Sequence, residues 1–481
     1  MVLTKRQLVD EYVEAVHNGD AALFIGAGLS KEPGFVDWKG LLRGCAEEIG
    51  LDLDREFDLV AVAQYYLNLS PSNRQRLNGV LLKEFSQDGR LTENHRAIAG
   101  LPIPTIWTTN FDTLIEEAFR HARRRLEVKT RDTDISRVRQ RRDALLYKMH
   151  GDIAQPEEVV ICKADYERYA RKHPLFQTTL ETDLASKTFL FLGFSFADPH
   201  LNYMLGHLHA MLEGNAKGHF AVMRRTRENR HLPEGERERV HHYERNKQDL
   251  QIRELERYNI RTLLIDQFTE VSELLRAIEV ATYRKNVFVS GSANKYDPSF
   301  GEDRMRDLCM HLGEVLMDKG YRLVSGFGLN VGQIVFQGAL LKLYEHKNVG
   351  IEGHFILRPF PRNLPSAEQE AEFNDRYRRS IVSQCGFAVF VSGTSRGAEI
   401  SKGVVDEYRI TRELGKIPIP IGATGFAARH VWEQVARERE AVYGGTVPEA
   451  LYKRLNDSSL SNEELLGAVF EIMRLVSEGN Q

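Results

Sequence analysis

The first half of the chain alternates short apolar runs with amphipathic segments. Each run is about the length of a buried strand, and the segments between the runs carry apolar residues at helical spacing. This alternation indicates βαβ units and predicts a parallel sheet. The predicted strands are residues 21–25, 103–108, 145–149, 188–192, 219–223 and 260–265, and helices are expected at 112–125 and 165–171.

The same pattern restarts after residue 281. Further strands are predicted at residues 286–289, 321–324, 354–357, 387–391 and 417–421, with a helix over 305–319. We therefore expect an α/β protein with two Rossmann-like parallel-sheet domains, at 1–283 and 284–481. Residues 224–257 are dense in Arg, Glu, His and Asn, which favours a long solvated helix that could serve as a lid or an assembly element.

Composition narrows the class of protein. The 481 residues are 42% apolar and 28% charged, and the formal net charge of −3 gives no signature of nucleic-acid binding. The amino terminus has no signal-peptide core, and no apolar run has the length of a membrane span. We expect a cytoplasmic protein without a membrane or nucleic-acid partner. The four cysteines form no Cys-x-x-Cys pair, so neither a zinc ribbon nor a metal is expected.

A glycine turn follows the first predicted strand. Gly26, Ala27 and Gly28 come directly after the apolar run, and Ser30 adds a hydroxyl to the same loop. A turn of this kind lets the backbone approach a pyrophosphate, and a following helix amino terminus offers free N–H groups to its charge. The alternative is a plain turn that needs glycine for a positive φ.

Polar residues follow the second predicted strand. Thr109 and Asn110 lie at its carboxyl end, where open α/β sheets bind ligands. Asn110 can donate and accept hydrogen bonds, so it can fix a water molecule or a ribose near a glycosidic carbon. Asp112 can contact a ligand equally well or cap the helix that follows.

Two more loops end predicted strands. His150 follows the third strand and can accept the proton that water or a ribose hydroxyl loses during glycosidic cleavage. Gly193 and Ser195 follow the fourth strand. Helix capping by Ser195 or Asp198 is the competing interpretation of that loop.

In this order, the motifs Gly26–Ser30, Thr108–Asp112 and His150-Gly151 resemble the NAD-binding and catalytic loops of the sirtuin family, and the Gly193 loop resembles the one that closes over adenosine. The resemblance implies catalytic roles for Asn110 and His150. It implies NAD contacts for Gly26, Ala27, Gly28, Ser30, Thr109, Asp112, Gly193 and Ser195.

Departures from the deacetylating sirtuins matter equally. Their two Cys-x-x-Cys zinc pairs, which help to form the acyl-lysine groove, are absent from this sequence, and Thr109 replaces their usual glutamine. Peptide substrates are therefore not favoured. The resemblance then implies NAD as substrate and water as acceptor, giving nicotinamide and ADP-ribose.

Two predicted strands in the second half are followed by small-residue segments, Ser290-Gly291-Ser292-Ala293 and Ser325-Gly326-Phe327-Gly328. These segments resemble the loops of the SLOG superfamily, which binds nucleotide-derived ligands. Small residues at strand ends leave backbone N–H groups open to phosphate. Arginine and lysine can bind phosphate, and an acidic residue can accept from ribose hydroxyls; for each charged residue the alternative is an exposed helix face. The expected ligand residues are Ser290, Gly291, Ser292, Gly326, Gly328, Arg378, Arg379, Lys402 and Glu407.

A sirtuin-like domain followed by a SLOG domain is similar to the effectors of the Thoeris bacterial antiphage system. This implies an NAD hydrolase that stays inactive until its SLOG domain binds a cyclic ADP-ribose isomer made by a TIR-domain partner protein, and that then depletes cellular NAD. Switching from about 1% to 99% active takes a preference of about 10⁴-fold, or about 5.5 kcal/mol. One arginine–phosphate contact is insufficient, so we expect a homo-oligomer, a tetramer or larger.

Two other functions remain open from the sequence. A non-catalytic sensor of NAD or ADP-ribose would carry the same binding loops. A protein deacylase or ADP-ribosyltransferase would differ in the acceptor. A P-loop nucleotidase is excluded because the sequence has no Gly-x-x-x-x-Gly-Lys-Ser/Thr motif.

Overall fold

The structure is a computed structural model, and it divides the chain into two compact units, Met1–Glu279 and Val280–Gln481. The division falls slightly before the boundary expected at 283/284. The residues that the structure describes are 3–30, 38–56, 58–69, 73–85, 90–137, 141–194, 196, 198–212, 215, 217–228, 233–345, 351, 353–360, 367–395 and 400–479.

The first unit is built on a parallel sheet with the strand order β3-β4-β2-β1-β5-β6-β7 in the described residues. Its strands are β1 (Ala21–Ile25), β2 (Thr105–Thr108), β3 (Leu126–Lys129), β4 (Ala144–Lys148), β5 (Thr188–Leu192), β6 (His219–Arg224) and β7 (Ile260–Ile265). Its helices are α1 (Lys5–Asn18), α2 (Trp38–Glu48), α3 (Leu59–Asn68), α4 (Gln75–Phe85), α5 (Glu93–Gly100), α6 (Leu114–His121), α7 (Asp132–Ile135), α8 (Lys163–Lys172), α9 (Pro174–Ser186), α10 (Pro199–Met211), α11 (Glu234–Arg257) and α12 (Thr269–Arg284), the last of which spans the division.

The strand order explains where the loops meet. β1 pairs with β2 on one side and with β5 on the other, so the chain changes direction across the sheet next to β1. In open α/β sheets such a switch point opens a crevice at the carboxyl ends of the strands. The loops after β1, β2, β4 and β5 therefore share one edge of the sheet.

The strand predictions for this unit are confirmed with small shifts at the ends, and one strand was missed. The predicted helix 112–125 is shorter, at Leu114–His121, and β3 follows it. The sequence Leu-Glu-Val-Lys of β3 carries two charges and gave no apolar signal. Glu127 and Lys129 are nevertheless buried, because the Lys129 ammonium donates to Glu127 Oε1 at 2.6 Å.

The highly charged segment forms the solvated helix that its composition predicted. Most of the residues of α11 are exposed, and Leu255 is its buried residue. Among the described residues, no helix has both the length and the apolar character that crossing a membrane requires.

A buried histidine at the start of β6 gives the first unit a predictable pH response. Burial lowers the pKa of His219 from its usual 6.5 to about 4, and its Nδ1 accepts a hydrogen bond from the Phe189 amide at 3.2 Å. The unfolded chain binds this proton more readily than the folded one. The free energy of unfolding is therefore highest above pH 6.5, where His219 is neutral in both states, and it decreases as the pH falls toward 4.

We expect His219→Asn, which keeps an acceptor near Nδ1, to flatten this response. Between pH 7.5 and pH 5 the wild type should lose about 2 kcal/mol more free energy of unfolding than the variant. Urea unfolding at the two pH values measures the difference. Equal losses in both proteins would show that His219 does not titrate in this way.

The second unit contains a smaller parallel sheet, with the order β10-β9-β8-β11-β12 in the part of the chain that is described. Its strands are β8 (Asn286–Ser292), β9 (Arg322–Ser325), β10 (Phe355–Leu357), β11 (Phe387–Ser392) and β12 (Ile417–Ile421). Its helices are α13 (Glu302–Asp318), α14 (Gly332–Glu345), α15 (Ala367–Val382), α16 (Lys402–Glu413), α17 (Phe426–Arg437), α18 (Arg439–Tyr443), α19 (Glu449–Arg454) and α20 (Asn462–Gly479).

The second sheet has its own switch point, because β8 lies between β9 and β11. All five strands predicted for this half are present, again with small shifts at their ends. The expected α/β class with two parallel sheets is confirmed. β8 runs three residues further than predicted, so Ser290, Gly291 and Ser292, which were expected in a loop, form the end of the strand itself. This end lies beside the small-residue loop after β9, because β8 and β9 are paired.

Candidate active site

The glycine loop after β1 packs tightly against the loop after β5. The Gly26 amide donates to Leu192 O and the Gly28 amide to Gly193 O, both at 2.9 Å. A Cβ on Gly26 would come within 2.5 Å of Gly193 O. Neither Gly26 nor Gly28 has a positive φ, so the interpretation that this turn needs glycine for a left-handed backbone is wrong. Close approach of two backbones is the reason for glycine here.

The rest of this loop differs from the expected helix start. Residues Ala27–Leu29 form a short 3-10 turn, and the Ser30 amide donates to Ala27 O at 3.1 Å. The φ of Gly193 is +63°, in the left-handed region that favours glycine. Ser195, the other residue predicted in that loop, lies outside the described residues.

Asn110 is held in one orientation by the glycine loop. Its Nδ2 donates to Gly26 O at 3.2 Å and to Ser30 Oγ at 2.9 Å. The side-chain oxygen, Oδ1, is buried and has no hydrogen-bond partner among the described residues. An unpaired buried acceptor is costly, so Oδ1 is available to a donor that enters the site.

Asp112 supports Asn110 through a serine. Ser30 Oγ accepts from Asn110 and donates to Asp112 Oδ2 at 2.7 Å. Asp112 Oδ1 accepts from the Leu114 amide at 3.0 Å, an Asx turn that leads into α6, whose N-cap position is Thr113. The contact of Asp112 with NAD stays a prediction. Thr109 follows β2 directly, and its amide donates to Ile25 O at 3.3 Å.

A buried lysine holds the backbone of the Asn110 loop. The sequence gave no signal for it. Lys148, 1% exposed at the end of β4, donates to Phe111 O at 3.1 Å and to Asp112 O at 2.6 Å. The same ammonium contacts Glu116 Oε1 at 3.1 Å and Asp152 Oδ2 at 2.5 Å. Burial alone would lower the pKa of Lys148, but the two carboxylates outweigh burial and raise it. Lys148 therefore stays charged and fixes the loop.

His150 lies next to Asn110 in the register of the sheet. Thr108 and Lys148 are paired between β2 and β4, and Asn110 and His150 each follow two residues later. His150 is 2% exposed, and burial lowers its pKa although Asp198 opposes this. Its imidazole is therefore neutral at neutral pH and can accept a proton. The Nε2 atom lies 3.3 Å from Asp198 Oδ2 but makes no hydrogen bond to any described residue.

His150 also lies close to polar residues of α8 and of the start of α10. Tyr166 OH donates to Asp198 Oδ2 at 3.1 Å, and the Leu201 amide donates to Asp198 Oδ1 at 2.9 Å. Asp198 therefore caps α10, as one of the two interpretations of this loop predicted. His200 also packs here, with its Nε2 3.1 Å from Tyr166 O.

The second unit has a separate polar cluster at the carboxyl end of β8. Ser290 Oγ donates to Glu407 Oε2 at 2.5 Å, and Arg378 Nε lies 3.5 Å from Glu407 Oε1. Burial raises the pKa of Glu407, and the serine and arginine oppose this. Arg378 Nε is buried without a hydrogen bond among the described residues. Ser290, Glu407 and Arg378 thus lie together, and their contact with a ligand stays a prediction.

The neighbouring arginine has a different environment. Arg379 donates to Asp375 at 2.8 Å and to Glu413 at 2.5 Å, in a surface network that also includes Arg409. Lys402 is exposed at the first position of α16. For Arg379 the exposed-helix alternative thus describes its position better than the phosphate-binding one.

A cavity of about 470 Å³ opens beside the small-residue loop after β9. Gly326 and Gly328 contribute to its wall together with Phe360. The Phe360 ring also lies 5.0 Å from the Arg378 guanidinium, so one aromatic side chain joins the cavity to the polar cluster. The sequence gave no signal for Phe360, because a phenylalanine in a proline-rich loop resembles an ordinary packing residue.

The other small residues pack the loops together. A Cβ on Gly328 would overlap Gly291 O, and one on Gly291 would overlap Val391 O. Ser292 Oγ donates to Thr394 O at 2.7 Å. These residues bring the ends of β8, β9 and β11 into contact and thereby shape the cavity wall.

Both halves of the chain match known protein families. Residues 104–263 match the model of the SIR2-like domain, and residues 270–476 match that of the Sir2- and TIR-associating SLOG family. A protein named NAD(+) hydrolase ThsA from Bacillus cereus (strain MSX-D12) is 39% identical over 474 residues, covering 98% of both chains. Proteins of the same name from Cytobacillus dafuensis and Enterococcus faecium are 36% and 37% identical, covering 100% and 90% of this chain and 98% and 91% of their own.

These relatives match both units in one continuous alignment. Identity of this level over nearly the full length is sufficient to establish common descent and a common fold. The chain belongs to the ThsA family.

Proposed function

We propose that this protein hydrolyses NAD⁺ to nicotinamide and ADP-ribose at the edge of the first sheet. The observation that carries the proposal is a pair of buried polar atoms, Asn110 Oδ1 and His150 Nε2, that have no hydrogen-bond partner among the described residues. Each residue lies two positions beyond the end of its strand, and the two strands, β2 and β4, are paired. Buried polar groups are nearly always paired, so the pair fits a bound molecule with hydroxyl groups or a water. Relatives named NAD(+) hydrolase support NAD as that molecule.

The chemistry follows from these side chains. Water attacks the ribose carbon that carries nicotinamide, and the bond between that carbon and the nicotinamide nitrogen breaks. The electron pair leaves with nicotinamide, while the new carbon–oxygen bond gives ADP-ribose. His150, neutral because burial lowers its pKa, accepts the proton from water or from a ribose hydroxyl. Asn110 accepts a hydrogen bond that orients the water or the ribose.

The remaining loop residues support binding of the dinucleotide. Gly26, Ala27, Gly28, Ser30 and Thr109 lie together at the switch point of the sheet, where this class of fold binds nucleotides. Asp112 and Lys148 act as positioning residues, because they hold Asn110 through Ser30 and through the loop backbone.

Product analysis with an Asn110 variant tests this proposal. We expect the wild type to release nicotinamide and ADP-ribose in equal amounts, and Asn110→Ala to reduce the rate roughly 10²–10³-fold, as loss of a preorganised polar group in an active site does. Asn18→Ala is a suitable control, because Asn18 is exposed at the end of α1. An acylated or ADP-ribosylated acceptor in place of free ADP-ribose would contradict hydrolysis.

We further propose that the second unit binds a cyclic ADP-ribose isomer and thereby activates the first. Such a ligand carries two phosphates and ribose hydroxyls. The buried Arg378 Nε suits a phosphate, and the Glu407 carboxyl suits a ribose hydroxyl. Phe360 and the cavity beside it would receive an aromatic base.

Two adjacent arginines provide a matched test of this binding site. Arg378→Gln should raise the concentration of cyclic ADP-ribose isomer needed for half-maximal activation roughly 10–100-fold, since a hydrogen bond to a charged group contributes about 1.5–3 kcal/mol. Arg379→Gln should change it by less than about threefold, because Arg379 belongs to a surface network. Equal effects of the two substitutions would contradict the assignment of Arg378.

The biological setting follows from the family. We propose that the protein is a homo-oligomeric effector of the Thoeris antiphage system, a tetramer or larger, in the bacterial cytoplasm. A TIR-domain partner would make the cyclic signal during infection, and NAD depletion would then arrest the cell. Coupling between subunits would help to supply the roughly 10⁴-fold preference that a complete switch requires.

A further inference from the structure

Three potential metal ligands meet beside the candidate active site. One ring nitrogen each of His150 and His200 and one carboxylate oxygen of Asp198 all lie within 4.8 Å of one another. The sequence does not predict this group, since it shows no known metal-ligand spacing. His200 and Asp198 have no assigned part in NAD hydrolysis.

The distances are close to those of a zinc site. Two ligand atoms on a tetrahedral zinc ion, each about 2.0–2.1 Å from it, are about 3.3 Å apart. His150 Nε2 and Asp198 Oδ2 already have this separation, 3.3 Å. The His200 nitrogen would need to approach by at most about 1.5 Å, which rotation of one side chain can provide.

Two of the three ligand residues carry an unpaired ring nitrogen, and the third, Asp198, is held in place by hydrogen bonds. His150 Nε2 and His200 Nδ1 are buried without hydrogen-bond partners among the described residues. The other nitrogen of His200 lies 3.1 Å from Tyr166 O, a contact that fixes its N–H there and leaves the Nδ1 lone pair free. Asp198 is fixed by the Tyr166 hydroxyl and the Leu201 amide. Contacts of this kind orient the ligands in metal sites.

We propose that His150, Asp198 and His200 bind a divalent transition-metal ion of the zinc type and that the bound ion inhibits NAD hydrolysis reversibly. Two imidazoles and one carboxylate suit zinc and its neighbours, whereas Mg²⁺ and Ca²⁺ prefer oxygen ligands. The inhibitory part rests on the proposed function, because an ion on His150 occupies the nitrogen that accepts the proton. Among the described residues, the group of potential ligands contains no cysteine.

Direct binding of Zn²⁺ tests the site independently of activity. Competition with a chromophoric chelator should give one Zn²⁺ per chain in the full-length wild type. We expect His200→Gln to weaken binding at least about tenfold. His242→Gln should leave it unchanged, because His242 is exposed on α11. Undiminished binding by His200→Gln would overturn the site.

Turnover tests the inhibitory part. Nicotinamide release by the wild type and by His200→Gln is measured in the presence of the cyclic ADP-ribose isomer. Each protein is assayed with chelator, with Zn²⁺ and, as the control ion, with Mg²⁺. Zn²⁺ should inhibit the wild type over the range in which it binds, and His200→Gln should need at least about tenfold more. Zinc that binds without slowing turnover would overturn inhibition. If neither protein turns over, the proposed function fails, and the binding experiment still decides the site.

Discussion

Replacement of His150 by alanine should reduce nicotinamide release from NAD roughly 10²–10⁴-fold, the usual contribution of a positioned acid or base. The physical reason is the environment of its imidazole. Burial keeps the side chain neutral, and its buried Nε2 makes no hydrogen bond to any of the described residues. Because alanine offers no group that can take the proton, the bond to nicotinamide breaks only as fast as the rest of the site allows.

Two measurements separate this role from a structural one. The affinity for NAD, measured by calorimetry, should change much less than the rate of nicotinamide release, because the base acts in the transition state. His242→Ala, which removes an exposed histidine, should retain the wild-type rate. Turnover of His150→Ala near the wild-type rate would exclude His150 as the base.

Replacement of Lys148 by methionine should destabilise the first unit by about 3–5 kcal/mol, because it leaves the buried Glu116 and Asp152 without their cation. The backbone oxygens of Phe111 and Asp112 would lose their donor as well. The Asn110 loop would then no longer be fixed, so we also expect slower nicotinamide release in the protein that remains folded. Urea unfolding measures the loss of stability, and the rate of nicotinamide release at low temperature measures the effect on the site.

Two control proteins test the role of Lys148: one removes an exposed lysine, and the other also neutralises the carboxylates that Lys148 contacts. Lys39→Met breaks an exposed ion pair with Asp54 and should cost less than about 1 kcal/mol. Adding Glu116→Gln and Asp152→Asn to Lys148→Met should recover part of the stability, since it removes the unpaired charges. A change in unfolding free energy of Lys148→Met no larger than that of Lys39→Met would contradict the anchoring role.

Most of the fold could be predicted because its strands are short apolar runs between amphipathic helices. Strands β1, β5 and β7 have the predicted bounds, since they are apolar throughout or nearly so. β3 escaped prediction because its stability depends on a buried ion pair, Glu127 with Lys129, and charged residues in a sequence indicate exposure. The pattern of polar and apolar residues along a sequence does not show which charged side chains pair in the folded protein.

The same limit applies to the sites. Asn110 and His150 could be identified because each follows a strand directly, and strand ends meet at one edge of a parallel sheet. Lys148 could not, because a lysine inside an apolar run resembles a surface residue. Likewise the sequence could not separate Arg378 from Arg379, whereas the structure places Arg378 beside Glu407 and Arg379 in a surface network.

The most direct test of a ligand-gated NAD hydrolase is nicotinamide release by the purified wild type, with and without a cyclic ADP-ribose isomer and with chelator present. We predict release that depends on the isomer and is accompanied by an equal amount of ADP-ribose. Equal release without the isomer would contradict gating. An absence of release under both conditions, while NAD still binds, would contradict hydrolysis itself and indicate a sensor.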